Sequence, residues 1–380
     1  MTPFRGPILV SARARTDLGR TRDHNEDAFL VADLTSRTTD LTHGGPHRVG
    51  ERGSLFLVAD GMGGAAAGEV ASSMAVDLIF RHLVESWNKE TDGDPERFAH
   101  HLRAAVEQAN EQIHKYSTEH PDVRGMGTTA TLAGVLDGNL YLAQVGDSRA
   151  YLVRGGVATQ LTKDQSLMQR LVDAGELTEE EAEQSERRNI ILQALGPDAR
   201  IRVDLTWQEL RRGDTLVMCS DGLSGQVKRE EIAQLVAQNL DLDTLCDRLI
   251  TLANERGGPD NITTVVAHFD GEGLAGPDRG EAEVGYRAYP TNEPDSDEHA
   301  MLSPVQPSAS PAPAPAPPSV SPPPPSPPQS AALPQTPPVS EALAESHAIP
   351  ARRSGSPATI ALVGAGFLLL LLVLYLLIRR

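Results

Sequence analysis

The sequence predicts an α+β fold built on antiparallel strands, and three observations support this. Apolar runs of strand length recur along the chain and stop at polar turns. Two of these runs, 127–135 and 140–145, are joined by a tight Asp-Gly-Asn turn, which is typical of a hairpin. Two segments, 65–85 and 95–116, carry apolar residues at spacings of three and four, which indicates consecutive helices covering one face of a sheet.

Composition separates a globular part from a long tail. Up to about residue 270 the chain has enough aliphatic residues for one large core. The formal net charge of −18, without a basic stripe, argues against a nucleic-acid partner. The same acidity is compatible with carboxylates gathered around cations or with an ordinary solvated surface. Cys219 and Cys246 lie in apolar surroundings, so we expect buried free thiols in a reducing compartment.

The tail suggests a linker followed by an anchor. We expect a folded domain at 7–270 and a disordered linker at 271–357, because Pro, Ala and Ser dominate much of the latter and cannot build a core. Residues 358–378 carry no charge and have the length of a single transmembrane helix; a buried core helix is the alternative. The N-terminus lacks a signal-peptide pattern. We therefore expect a single-pass membrane protein whose folded domain is cytoplasmic.

Acidic residues stand at the ends of predicted strands throughout the domain. One Asp-Gly pair, such as Asp60-Gly61 after the apolar run 55–59, is more often a turn than a ligand. Antiparallel strands put the start of one beside the end of the next, so acids at several strand ends can meet at one edge of a sandwich. The set is Glu26, Asp27, Asp60, Asp147, Asp221 and Asp260.

Carboxylates combined with backbone carbonyls and water suit hard divalent cations, Mg²⁺ or Mn²⁺. The set contains no thiolate, and no histidine pair has zinc spacing. Two ions roughly 3.5–4 Å apart could generate a hydroxide and clamp an in-line displacement at phosphorus. Arg22, five residues before Asp27, could bind the phosphoryl group through two parallel hydrogen bonds. Taken alone, Arg22 could equally be an ordinary surface arginine.

These residues belong to motifs that follow one another in a set order. The motifs are Arg22-x-x-x-Glu26-Asp27, Asp60-Gly61-x-Gly63-Gly64, Gly127-Thr128-Thr129, Gly146-Asp147-Ser148-Arg149, Ser220-Asp221-Gly222 and Asp260-Asn261. Together, over residues 8–269, they resemble the metal-dependent protein serine/threonine phosphatases (type 2C, or PPM). The resemblance implies a four-layer αββα sandwich of two antiparallel sheets flanked by helices, with metals in a cleft at one end.

The resemblance also implies roles for individual residues. Asp60 would bridge two Mn²⁺ or Mg²⁺ ions, and the Gly61 carbonyl would bind one of them. Catalysis would then depend on Asp60 and Arg22. The other implied roles are Asp221 and Asp260 as ligands that complete the coordination of the other metal, Asp27 and Glu26 at a metal or its waters, Asp147 at a possible third ion, and Arg22 on the substrate phosphate.

Three positions depart from the pattern of the family. Animal members have a histidine at the position of Met62, whereas many bacterial members have a methionine there, as this chain does. Met62 cannot donate a proton. Gly225 replaces an aspartate that helps Asp147 hold a third ion in many members, which leaves the third ion open. The charged segment 161–196 contains Asp164-Gln165-Ser166 where the family's flap usually begins Asp-His-Ser, and it is either a mobile flap or a plain surface insert.

The sequence therefore predicts a membrane-tethered phosphatase that hydrolyses phosphoserine and phosphothreonine through a two-metal-activated hydroxide. Its expected partners are the membrane and phosphorylated proteins, either serine/threonine kinases or their targets, whose action it would oppose. One alternative is a catalytically silent phosphoprotein-binding module, which the intact acid set disfavours. Another is a scaffold that acts through the proline-rich tail.

Overall fold

The computed structural model describes residues 6–63, 67–185, 187–277 and 284–290. They contain two antiparallel sheets. The first sheet consists, in spatial order, of β3 (His47–Arg48), β1 (Leu9–Asp17), β12 (Ile262–Asp270), β11 (Thr215–Cys219), β8 (Arg149–Arg154) and β9 (Val157–Gln160). The second consists of β10 (Asp204–Glu209), β7 (Asn139–Val145), β6 (Ala130–Leu136), β4 (Ser54–Met62) and β2 (Asp27–Asp33), with β5 (Gly127–Thr128) paired to the end of β4.

Helices cover the outer face of each sheet. In the described residues they are α1 (Ala67–Glu85), α2 (Pro95–Glu119), α3 (Leu167–Asp173), α4 (Glu179–Glu183), α5 (Asp221–Ser224), α6 (Arg229–Ala237) and α7 (Leu242–Glu255). Asp94 caps α2 by accepting from the Glu96 N–H, and a proline opens the helix, so the start predicted at residue 95 is confirmed. α1 and α2 pack on the second sheet, whereas α6 and α7 pack on the first.

Strand β4 shows why the sandwich has four layers. Leu55 and Leu57 point into the core beneath α1 and α2, whereas Phe56 and Val58 point into the core between the sheets. A strand buried on both faces is apolar at every position, because its side chains alternate between two interiors. Phe56 meets Phe269 of the opposite sheet edge-on, with ring centroids 6.3 Å apart. The predicted four-layer α+β sandwich is confirmed.

Some local predictions need correction. Strand β10 was not predicted, because its six residues mix apolar side chains with acids and a glutamine. In the segment 161–196, predicted to be helical, the described residues form only the short helices α3 and α4. The predicted start of α4 is confirmed, since the Thr178 hydroxyl and the Glu181 carboxylate form a capping box. Both cysteines are buried and free, as expected.

The prediction of a single-pass membrane protein is wrong for the part of the chain that the structure describes. No helix there combines the length and the apolar composition needed to cross a bilayer. α1 and α2 have the length, but both carry charged residues; α1, for example, contains Glu69, Asp77 and Arg81. The predicted span at 358–378 and most of the predicted linker at 271–357 lie outside the described residues. The boundary of the folded domain at 7–270 stays a prediction.

Candidate active site

Strands β2 and β4 bring two of the predicted carboxylates together. Asp27 opens β2 and lies directly opposite Asp60 in the antiparallel register. The backbone of Asp60 is held on both sides, because its N–H donates to Thr129 Oγ1 at 2.9 Å and its carbonyl accepts from the Thr129 N–H at 2.8 Å. Thr128 Oγ1 donates to the same carbonyl at 3.0 Å. Thr128, which ends β5, and Thr129, which follows it, therefore fix the backbone of Asp60.

The first sheet brings further acids to the same place. Ser220, at the end of β11, donates its hydroxyl to Asp27 Oδ2 at 2.7 Å and so joins the ends of the two sheets. Asp221 follows it and opens α5. Asp260 precedes β12, and the negative charges of Asp221, Asp260 and Asp147 all act on Asp60. The structure thus confirms that acids from separate strand ends meet at one end of the sandwich.

These carboxyls are costly to ionise. Burial is the main cause, followed by repulsion from the neighbouring acids, and it raises the pKa of Asp27 to about 7 and that of Asp221 to about 6. Burial raises the pKa of Asp147 to about 8, with Asp221 and Asp164 adding repulsion. The pKa of Asp60 is raised well above its usual value by the same two effects. Cations bound here would remove much of that cost.

Two buried oxygens support cation binding. Asp27 Oδ1 and Asp147 Oδ1 have no hydrogen-bond partner among the described residues, although both are shielded from solvent. A buried carboxylate oxygen left unpaired is costly, and a divalent cation or its water would satisfy it. Carboxylate oxygens are also the ligands that Mg²⁺ and Mn²⁺ prefer. The residues present therefore fit divalent cations.

The acid cluster does not by itself enclose an ion. Within the described residues, no three Asp, Glu, His or Cys side chains form a group that could hold a metal. Asp260 is already engaged, because its Oδ2 accepts from Arg22 at 2.8 Å and its Oδ1 from the Asn261 N–H at 2.8 Å. Ions held here would consequently need backbone carbonyls and water besides carboxylates, as the sequence suggested for Gly61.

Gly61 lies where a side chain would not fit. A Cβ at this position would lie 2.3 Å from the Gly68 carbonyl oxygen and 2.5 Å from that of Glu26. The Gly61 N–H donates to the Glu26 carbonyl at 3.1 Å. The Glu26 carboxylate accepts from the Gly68 N–H in the first turn of α1, and burial raises its pKa. Glu26 therefore connects the site to a helix N-terminus.

Arg22 lines a groove of about 790 Å³ that Asp260 also lines. Its side chain is 47 % exposed while it pairs with Asp260. Asp147 and Asp221 line the same groove, and α3 and α4 contribute to its far wall. All eight predicted site residues thus lie in or beside one region, while their individual roles stay predictions.

Sequence reasoning quoted several motif residues without finding what they do. Asn261 accepts from the Glu26 N–H at 2.8 Å and donates to the carbonyls of Leu18 at 3.0 Å and His24 at 2.9 Å. It therefore ties the loop before β2 to the start of β12. Thr129 Oγ1 lies 2.7 Å from Ser148 Oγ. The motifs were the available signal, but the partners lie as far as 243 positions apart in the chain.

The structure also locates the positions that depart from the motif pattern. Met62 pairs with Gly127 where β4 meets β5. Strand β4 therefore continues through Asp60 and Gly61 instead of turning at this pair. Gly225 ends α5, and its N–H donates to the Asp221 carbonyl at 2.7 Å. Arg149 holds Asp164 through Nε and a terminal nitrogen, at 3.0 and 2.7 Å, beside Asp147.

Comparison with known proteins agrees with this geometry. The family model described as protein phosphatase 2C matches residues 37–265. The serine/threonine phosphatase stp of Listeria monocytogenes is 38 % identical over 263 residues, which cover 69 % of this chain and 96 % of the relative.

Two solved structures are similar throughout the same part of the chain. One is the serine/threonine phosphatase PstP/Ppp of Mycobacterium tuberculosis, with 37 % identity and a TM-score of 0.58, covering 69 % of this chain and 99 % of that one. The other is the catalytic domain of PstP in complex with two manganese ions, with 38 % identity, a TM-score of 0.56 and the same coverage. The chain belongs to the protein phosphatase 2C family and is a metal-dependent protein serine/threonine phosphatase.

Proposed function

We propose that this chain releases phosphate from phosphoserine and phosphothreonine in proteins at the end of the sandwich where β2, β4, β11 and β12 meet. One observation carries the proposal: buried carboxylates from both sheets converge there with raised pKa values. Such an arrangement is unfavourable for folding alone and favourable for cation binding. The ligands would be Asp27, Asp60, the Gly61 carbonyl, Asp221 and Asp260, with Glu26 and Asp147 beside them.

The chain's own groups prepare these ligands. Thr128 and Thr129 hold the backbone of Asp60, so its carboxylate is aimed without using a carboxylate oxygen. Ser220 occupies only Oδ2 of Asp27, which leaves Oδ1 available. When bound, two Mn²⁺ or Mg²⁺ ions would lower the pKa of water to supply a nucleophile and would neutralise charge on the phosphoryl group.

Arg22 is proposed to bind the substrate phosphate. One terminal nitrogen donates to Asp260, which leaves further N–H donors on a half-exposed guanidinium. These can bind two oxygens of a phosphate in parallel. The hydrogen bond to Asp260 also orients the side chain at the groove before substrate arrives. Replacing Arg22 by alanine should chiefly raise KM, because a ground-state contact to the phosphate is lost.

The proposed substrates are proteins phosphorylated by serine/threonine kinases, whose action this enzyme would counteract. The relatives named above are serine/threonine phosphatases, which supports this class of substrate. Comparing protein phosphorylation in cells with and without the enzyme tests the proposal. Phosphoserine and phosphothreonine sites should gain occupancy on its removal, whereas unchanged occupancy would count against it.

The activity itself is tested with the full chain. Phosphate release from a phosphothreonine peptide should require Mn²⁺, stop with EDTA and resume when Mn²⁺ is restored. Calorimetric titration with Mn²⁺ in parallel should show two sites. Binding of Mn²⁺ without any turnover would instead favour the catalytically silent module and overturn the proposal.

A further inference from the structure

Residues 284–290, which we call the strap, add to the open edge of the second sheet. Ala288 lies opposite Thr206 of β10. The Trp207 N–H donates to the Arg287 carbonyl at 3.0 Å, and the Tyr289 N–H donates to the Leu205 carbonyl at 2.8 Å. β10 is an edge strand, so this pairing covers backbone groups that would otherwise be open. The strap lies beyond the predicted domain boundary at residue 270.

Side chains of the strap alternate between two sides of the sheet, as strand geometry requires. Tyr289 packs against the core beneath α1 and α2, with its ring 5.9 Å from that of Tyr141. The guanidinium of Arg287 lies 4.1 Å from the ring centroid of Trp207. Ala288, which lies between them and pairs with Thr206, takes the opposite side. These contacts anchor the strap immediately after Tyr286.

Tyr286 lines the groove that Arg22, Asp147 and Asp221 also line. Its side chain remains 45 % exposed, so the ring is available to a ligand. Burial of its other part raises its pKa, and the charge of Asp204 adds to the effect. The negative charge of Asp173, the last residue of α3, also raises this pKa.

Helix α3 contributes apolar side chains to the same groove. Met168 and Val172 are four residues apart, hence on one face of the helix, and both line the groove. Ile190, beside the groove-lining Asn189, is one of the exposed large apolar side chains in the described chain. Charged residues dominate much of the remaining wall, including Lys163, Asp164, Glu179, Glu180, Lys228 and Arg229.

We propose that Tyr286, Met168 and Val172 form a subsite that binds an apolar side chain of the phosphoprotein, near the phosphorylated residue in its sequence. This rests on the proposed function, since the occupant is identified by the continuity of the groove with the phosphatase site. A groove of about 790 Å³ holds far more than a phosphoryl group. A half-exposed aromatic ring on a β-paired backbone loses little conformational freedom when it contacts a ligand.

The test compares two phosphothreonine peptides that differ only in having leucine or serine beside the phosphoresidue, at each flanking position in turn. Values of kcat/KM are normalised to the same variant's value for phenyl phosphate, which is too small to reach the subsite. The full-length wild type should show a higher normalised kcat/KM for the leucine peptide than for the serine peptide at one of the flanking positions. Tyr286→Ala should reduce this preference about tenfold, the loss expected for one apolar contact.

Controls separate binding from folding. Tyr286→Phe should keep the preference, because the ring is retained. Arg287→Ala, which alters the opposite side of the strap, should keep it as well. Val172→Ala provides a second variant that should weaken it. An unchanged preference in both Tyr286→Ala and Val172→Ala, or no preference in an active wild type, would overturn the subsite. A wild type inactive on phenyl phosphate and on every peptide would overturn the proposed function itself.

Discussion

Acidic side chains form two clusters with opposite electrostatic character. On the outside of the first sheet, Asp243 of α7 accepts from Arg13 at 2.6 Å and from Arg15 at 2.8 Å. The hydrogen bond from Arg13 is the main reason why the pKa of Asp243 is lowered. At the end of the sandwich, burial and mutual repulsion instead raise the pKa values of Asp27 and Asp60.

The difference separates a structural cluster from a functional one. Arg13 and Arg15 already balance the charge of Asp243, so nothing further is needed for it to stay ionised in the fold. The acids around Asp60 cost folding free energy as long as they are ionised without cations. Groups held in an unfavourable charge state by the surrounding structure are typical of sites that bind or react.

The largest effect is expected from Asp60→Asn. Turnover of a phosphothreonine peptide with Mn²⁺ should fall by several orders of magnitude, because a proposed ligand of the cations loses its charge. In EDTA, the melting temperature should not fall, since one repelling charge has been removed from the cluster. Phosphate release and calorimetry measure the two quantities. Near-normal turnover in this variant would contradict the assignment of Asp60.

The second prediction concerns pH. In EDTA, the folded-state pKa values of about 7 for Asp27 and about 8 for Asp147 exceed the ordinary value of 3.8. Between the ordinary pKa of 3.8 and the raised values of about 7 and about 8, the folded protein therefore binds more protons than the unfolded chain. Its stability should fall as the pH rises across that range. Each extra proton contributes about 1.4 kcal/mol per pH unit.

Urea denaturation at about pH 5.5 and about pH 7.5 measures this dependence. Saturating Mg²⁺ should flatten it, because cations bind the deprotonated carboxylates. For Asp243 the pH dependence of stability has the opposite sign. Its pKa is lowered in the folded state, so its contribution to stability is present above its ordinary pKa and is lost as the pH falls below that value. Equal slopes with EDTA and with Mg²⁺ would show that the acid cluster does not bind the cation.

A smaller effect is expected from Thr129→Val, which removes the acceptor of the Asp60 N–H. Thr131→Val is the matched control, because Thr131 is equally buried on the same chain segment but donates to the Ser148 carbonyl at 2.8 Å. Both should lose about 1–3 kcal/mol of unfolding free energy. Only Thr129→Val should also weaken Mn²⁺ binding in calorimetry. Equal weakening in the control would show a general loss of stability instead.

The smallest effect is expected from Asp243→Asn, which changes the ion-paired cluster of Asp243, Arg13 and Arg15 on the outside of the first sheet. Its side chain is 44 % exposed, so solvent screens the ion pairs and the loss of stability should be below about 1 kcal/mol. Turnover with Mn²⁺ should match that of the wild type. A large loss of activity in this variant would remove the distinction between the two clusters.

The acid cluster was predictable because each member follows or precedes a recognisable strand. The run before Asp60 is apolar at every position, as expected for a strand between two cores, and its end is therefore easy to locate. Strand β10 and the strap were not predicted. Each has only six or seven residues without a continuous apolar run, and what stabilises them is pairing: β10 pairs with β7, and the strap pairs with β10.

By itself, the sequence determined which residues end the strands, and so which carboxylates could share a site. Tertiary structure alone decided how those carboxylates are held, because their partners come from distant parts of the chain. Asp60 depends on Thr129, and Asp27 on Ser220, across 69 and 193 positions. Local patterns carry no information about such pairs, since burial and hydrogen bonding between sheets exist only once both sheets have packed.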